Sequence, residues 1–113
     1  MVFSGECAVA TLGAPGGAWI PIAILQVLIN VLDFGMRIQE AVMAPRFSAT
    51  SNAIDISNRI TRSTERELKA IGYQVRRSAL SYAFAGVHGI TMFDGHIEGG
   101  TDPQRDGYAA GVA

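Results

Sequence analysis

The chain is predicted to fold as a mixed α+β domain, on three observations. Strand-like runs flank turn signals near both ends, at Ser4-Gly5-Glu6 and at Asp94-Gly95. The segment from about Ala18 to Phe34 is a helix apolar on nearly every side, which implies burial between layers. The segment Thr61 to Ile71 has the charge spacing of an exposed helix. Helices alternating with hairpins suit an α+β or layered αββα arrangement.

Taken in order, Met1 to Phe3 and Cys7 to Leu12 read as two short strands. Cys7, between strand residues, is expected to be a small buried hydrophobe rather than a nucleophile. The apolar helix tolerates Pro21 because its first turn leaves that N–H unpaired in any case, and Gly35 is its natural stop. Gln26, Asn30 and Asp33 share one face of it and are expected to bond to backbone in neighbouring loops. A short helix, Ile38 to Met43, ends before Pro45. Arg46 follows as a structural anchor for a carboxylate, Glu40 and Asp102 being the candidates.

Ala53 to Ile56 is a strand candidate. The helix Thr61–Ile71 takes Thr61 or Thr64 as N-cap, a Glu65–Lys69 pair on a solvated face, and Gly72 as its stop. Tyr73 to Arg77 reads as a strand, Val87 to Phe93 and His96 to Glu98 as a hairpin, and the tail from Gly99 as a loop. No repeat and no interdomain linker is evident, so residues 1–113 are read as one domain or a fragment of one.

Composition narrows the function classes. Apolar residues are 49% and charged residues 17% of 113, a bias that suits a chain packing against a larger body or an obligate oligomer. A net charge of −1 offers no basic stripe, which argues against a nucleic-acid partner. The apolar run Ala18–Leu32 contains Pro21, Gln26 and Asn30 and is too short to span a bilayer. Cys7 is the single cysteine, and His88 and His96 lie on opposite arms of the predicted hairpin, so neither a metal site nor a cofactor motif is expected.

The stretch most able to do chemistry is Leu12-Gly13-Ala14-Pro15-Gly16-Gly17-Ala18. It joins a strand to the apolar helix and leaves the N–H groups of Gly16 and Gly17 bare beside the helix's positive end. Such a cradle suits a phosphate, a carboxylate or the oxyanion of an acyl-transfer intermediate. It is neither of the two common phosphate loops. Ala18-Trp19 stands where a Walker loop needs Lys-Ser or Lys-Thr, and the glycines do not space as G-x-G-x-x-G.

After the loop come Gln26-Val27-Leu28-Ile29-Asn30-Val31-Leu32-Asp33-Phe34-Gly35-Met36, then Glu40-Ala41-Val42-Met43-Ala44-Pro45-Arg46, and finally Asp102-Pro103-Gln104-Arg105-Asp106-Gly107. In this order the four motifs resemble the C-terminal part of the small subunit of the gamma-glutamyltranspeptidase family. Ala14 and Gln104 depart from it, standing where the family often has Ser and Arg.

The resemblance implies the four-layer αββα sandwich of the N-terminal nucleophile hydrolases. It also implies an enzyme that cleaves gamma-glutamyl amides such as glutathione, through a Thr exposed by autocatalytic cleavage. That Thr and the residues holding the glutamyl head group have no counterpart here, so the chain alone is expected to be inactive. Its implied contribution is the oxyanion hole, from the N–H groups of Gly16 and Gly17, with the rest of the enzyme as partner and a gamma-glutamyl compound as substrate. Amide or beta-lactam acylases of the same fold, and a non-catalytic interaction module, are the alternatives. Exported and cytoplasmic locations both stay open.

Overall fold

The computed structural model describes residues 1–80 and 83–112. The chain forms two compact units, one from Met1–Ala44 with Ala85–Ala113, the other from Pro45–Phe84.

The first unit is a four-stranded antiparallel sheet with two helices. Its strands are β1 (Val2–Ser4), β2 (Cys7–Gly13), β6 (His88–Phe93) and β7 (His96–Thr101), in the order β1-β2-β6-β7. Asp94 and Gly95 carry φ of 51° and 78°, the two left-handed residues a tight hairpin turn requires between Phe93 and His96.

Strand β7 runs to Thr101, three residues beyond the expected end. Gly99, Gly100 and Thr101 pair with Ile90, Gly89 and His88. Glycine has low strand propensity, which hid the extension, and tertiary packing is what demands it here. A Cβ on Gly100 would lie 2.9 Å from Ile38, so only glycine lets the second helix approach the sheet.

A short 3-10 turn, Gly17–Trp19, leads into helix α1 (Ile20–Leu32), and α2 spans Ile38–Met43. Pro21 lies in the first turn of α1. Gly35, at φ 66°, turns the chain so that the Met36 N–H donates to the Asn30 carbonyl at 2.9 Å. The core is Ala23, Val27 and Val31 of α1, Ile38, Ala41 and Val42 of α2, and Ala85 with Val87. One face of α1 is therefore buried within this chain. Leu25, Ile29 and Leu32 are exposed, which corrects the expectation of burial on all sides. The Gln26 amide donates to Ile22 O of its own helix at 3.0 Å. At the start of α2, Glu40 accepts the Arg37 N–H at 3.2 Å, while the Arg37 guanidinium grips Glu98 of β7 at 2.9 Å. That hydrogen bond raises the Arg37 pKa above its ordinary value.

Cys7 is exposed, contrary to expectation: it opens β2 beside the hairpin turn, where alternation has not yet turned a side chain into the core. No helix is long and apolar enough to cross a membrane among the described residues.

The second unit is a three-stranded sheet, β3 (Phe47–Ser48), β4 (Ile54–Ile56) and β5 (Val75–Arg77), with helix α3 (Arg62–Ile71) connecting the parallel pair β4 and β5. The Thr61 hydroxyl caps α3 by accepting the Thr64 N–H at 3.2 Å, and Gly72 ends it at φ 110°. Lys69 bonds Glu65 at 2.8 Å as the i,i+4 spacing required. Glu65 itself is buried, which corrects its place on a solvated face: Arg77 reaches it from β5. Arg46, read as an anchor, is buried, and its carbonyl accepts the Ser57 N–H at 2.9 Å.

Candidate oxyanion-binding loop

Strand β2 ends at Gly13, and the chain passes through Ala14 and Pro15 into the first turn ahead of α1. Gly16 sits at φ 144° and ψ 16°, and Gly17 at φ 60°. Both values lie where a side chain is strained, so the glycines are needed for the path of the backbone itself. The Gly16 carbonyl accepts the Trp19 N–H at 3.3 Å, which fixes the loop to the turn it opens. An N–H in the first turn of a helix has no carbonyl of its own helix to bond.

The two glycines differ in their surroundings. A Cβ on Gly16 would fall 2.4 Å from the Ala85 Cβ, so the loop is pressed directly onto Ala85. A Cβ on Gly17 would meet nothing within 4 Å. One glycine is therefore clamped, and the other faces open space.

The segment beneath Gly16 is itself held. The Val87 N–H donates to Asp102 Oδ2 at 3.4 Å, and the Asp102 N–H donates to the Val87 carbonyl at 3.1 Å. Asp102 is 1% exposed. It also accepts the Gln104 N–H at 3.1 Å and the Gln104 side-chain amide at 2.8 Å, so Gln104 braces the carboxylate. Gly86 lies so near Arg105 that an added Cβ would come within 2.5 Å of its Cγ. Ala85 and Val87 gave no sequence signal of a role, and Asp102 was read only as one of two candidate carboxylates for Arg46.

His88 lies in β6 opposite Gly13, with its ring against Gly107, and His96 opens β7. No group of three metal-ligating side chains forms among the described residues. A cleft of about 680 Å³ lies over β6 and β7, lined by Leu12, His88, Ile90, Ile97, Gly99 and Tyr108 among others. It touches Gly13 but not Gly16 or Gly17, and its wall is largely apolar and backbone, so the reactive groups do not converge there.

The sheet with its helices, and the glycine loop at the junction of strand and helix, are part of an αββα N-terminal nucleophile sandwich, a class of acyl-transfer enzymes. A family model described as Gamma-glutamyltranspeptidase matches residues 1–112, and the chain belongs to that family. It is 26% identical over 113 residues to the glutathione hydrolase proenzyme of Bacillus subtilis (strain 168), with 99% of this chain and 19% of that protein covered. It is 32% identical over 103 residues to the acylase ACY 1 proenzyme of Pseudomonas sp. (strain V22), with 90% of this chain and 18% of that one covered. Among solved structures, the gamma-glutamyltranspeptidase from Pseudomonas nitroreducens complexed with L-DON superposes with a TM-score of 0.86 at 28% identity, over 99% of this chain and 60% of that chain. The chain thus spans about a fifth of the length of the curated relatives it matches.

Proposed function

We propose that this chain is the C-terminal portion of the small subunit of a gamma-glutamyltransferase or hydrolase, and that Gly16 and Gly17 form its oxyanion hole. The observation that carries the reading is the pair of strained glycines at the mouth of α1, with Gly16 clamped on Ala85 and Gly17 facing open space. Membership of the family supplies the reaction class.

In this reading a Thr from outside residues 1–113 attacks the gamma-glutamyl carbonyl through its hydroxyl oxygen, and its free α-amine takes the proton. The carbonyl oxygen becomes anionic and receives hydrogen bonds from the N–H groups of Gly16 and Gly17, beside the positive end of α1. The α-ammonium returns the proton to the leaving nitrogen, collapse of the intermediate breaks the C–N bond and expels the amine, and water or an amino acid then takes the acyl group from the Thr oxygen. In this reading residues 1–113 by themselves are inactive, because the nucleophilic Thr lies outside them.

The test removes the Gly17 N–H alone. Proline is unsuited, because its φ near −65° conflicts with the φ of 60° at Gly17. Replacing that amide by a backbone ester in the intact gene product keeps the path and deletes the donor. Acylation by a gamma-glutamyl anilide should slow on the order of 10²–10³-fold. An unchanged pre-steady-state burst would sink the assignment.

A second reading is favoured by the acylase relative and by the likeness to the cephalosporin acylase from Bacillus halodurans: the same loop serves hydrolysis of a beta-lactam amide. Comparing turnover of the anilide with that of the beta-lactam amide decides between them.

A further inference from the structure

An oxyanion hole works only if its donors are already aimed when charge develops, and glycine is the residue least able to hold its own backbone in place. The strained Gly16–Gly17 loop therefore needs an external brace. Ala85 supplies the contact: it is 3% exposed, and its methyl group occupies the space a Cβ on Gly16 would need. Ala85 lies in a segment outside any strand or helix, so its own position must be fixed by something else.

One such fixing point is the buried carboxylate of Asp102. It accepts the Val87 N–H, while the Asp102 N–H returns a bond to the Val87 carbonyl, at 3.4 and 3.1 Å. Val87 is fully buried, so this reciprocal pair leaves the backbone two residues from Ala85 little freedom. Gln104 bonds the carboxylate twice, at 3.1 and 2.8 Å, and the side chain of Arg105 packs over Gly86. The segment is thereby gripped between the Gly16 loop on one side and the 102–105 turn on the other.

We infer that Asp102, braced by Gln104, is a positioning residue that sets the Gly16–Gly17 cradle through Val87 and Ala85. The inference rests on the oxyanion reading above. It assigns a role to a residue that touches neither substrate nor nucleophile in that reading.

The test is carried out in the intact gene product with three variants: Asp102→Ala, Asp102→Asn and Ala85→Gly. Asp102→Ala removes all the carboxylate bonds, and Asn keeps one acceptor oxygen. Ala85→Gly deletes only the methyl group under Gly16, so it keeps the test decisive if Asp102→Ala fails to fold. The acylation rate should fall on the order of 10²-fold in Asp102→Ala with KM unchanged. Asp102→Asn should recover part of that loss, and Ala85→Gly should show a smaller loss in the same direction.

Affinity for a tetrahedral boronate analogue should fall in parallel with the rate, while affinity for free glutamate, a planar ground-state competitor, holds. A purely structural role would lower the amount of folded enzyme without moving this split. Normal kcat and normal boronate affinity in folded Ala85→Gly and Asp102→Asn would overturn the inference, as would a loss expressed only in KM. The Gly17 backbone ester separates the two layers. If the ester is slow and these variants are normal, only the positioning role fails; if the ester is normal, the oxyanion reading fails and the positioning role with it.

Discussion

Arg77 closes on a single oxygen of Glu65, its Nε at 2.8 Å and its Nη2 at 2.7 Å from Oε2, while Lys69 takes the other oxygen at 2.8 Å. The remaining guanidinium nitrogen, Nη1, donates to the carbonyls of Asn58 at 2.9 Å and Ile60 at 2.7 Å. Strand β5, helix α3 and the loop before it are thus tied together by one charged pair, and this is the electrostatic centre of the Pro45–Phe84 unit.

The pair makes the stability of that unit depend on acid. The hydrogen bond from Lys69, and then that from Arg77, lower the Glu65 pKa from 4.5 to about 2, against the opposing effect of burial. A carboxylate with a depressed folded-state pKa contributes fully above its unfolded value and loses that contribution as pH falls through the folded one. The denaturation midpoint should therefore decline between pH 4.5 and about 2. In Glu65→Gln the midpoint should be lower at neutral pH and flatter over that window. An identical acid limb in the variant would show that other carboxylates carry it.

Gly16 and Gly17 should differ in what they tolerate. Gly16→Ala forces a methyl group to within 2.4 Å of the Ala85 Cβ and adds backbone strain at φ 144°. Overpacking of this kind costs typically about 1–3 kcal/mol beyond the strain itself. Gly17→Ala meets open space and carries only the left-handed penalty, about 1–2 kcal/mol. Urea unfolding followed by Trp19 fluorescence should rank Gly16→Ala as the less stable. The reverse order would mean the loop is not clamped on Ala85.

The apolar surface should make the isolated 113-residue chain associate. Leu25, Leu32 and Phe34 are 50%, 49% and 71% exposed on and just beyond α1, and Ile97 is 75% exposed on β7. Patches of this character bind other apolar surfaces. Sedimentation should show oligomers that bind a hydrophobic dye, and Leu25→Glu with Phe34→Glu should shift them toward monomer. A clean monomer with no dye binding, before any substitution, would contradict the expectation.

What could be read from the sequence follows how local each determinant is. The glycine loop, the Thr61 cap, the Gly72 stop and the Asp94-Gly95 turn are set by neighbours in the chain, and the structure places each where the residues indicate. The end of β7 was hidden because Gly99 and Gly100 lack strand propensity; Ile38, far away in sequence, is what requires a glycine at position 100. Glu65 read as a surface residue because its i,i+4 partner was visible and Arg77, across the crossover to β5, was not. Around the candidate site the two glycines proposed as donors were singled out by composition and helix position, and the structure gives both a positive φ. Ala85 and the grip of Asp102 on Val87 were not singled out, since small residues in an irregular segment show no periodicity.

The unit that holds the glycine loop is assembled from two separated stretches, and β2 pairs with β6 from Ala10↔Thr91 to Gly13↔His88. During synthesis the β2 edge must wait until His88–Phe93 has been made before its partner emerges. Such long-range pairing is slow, and a waiting apolar edge is open to wrong partners. The βαβ stretch of Pro45–Phe84 is contiguous and has no such delay. The Asp102 turn is made later still, so the cradle takes its final form only once translation has passed the last of its braces.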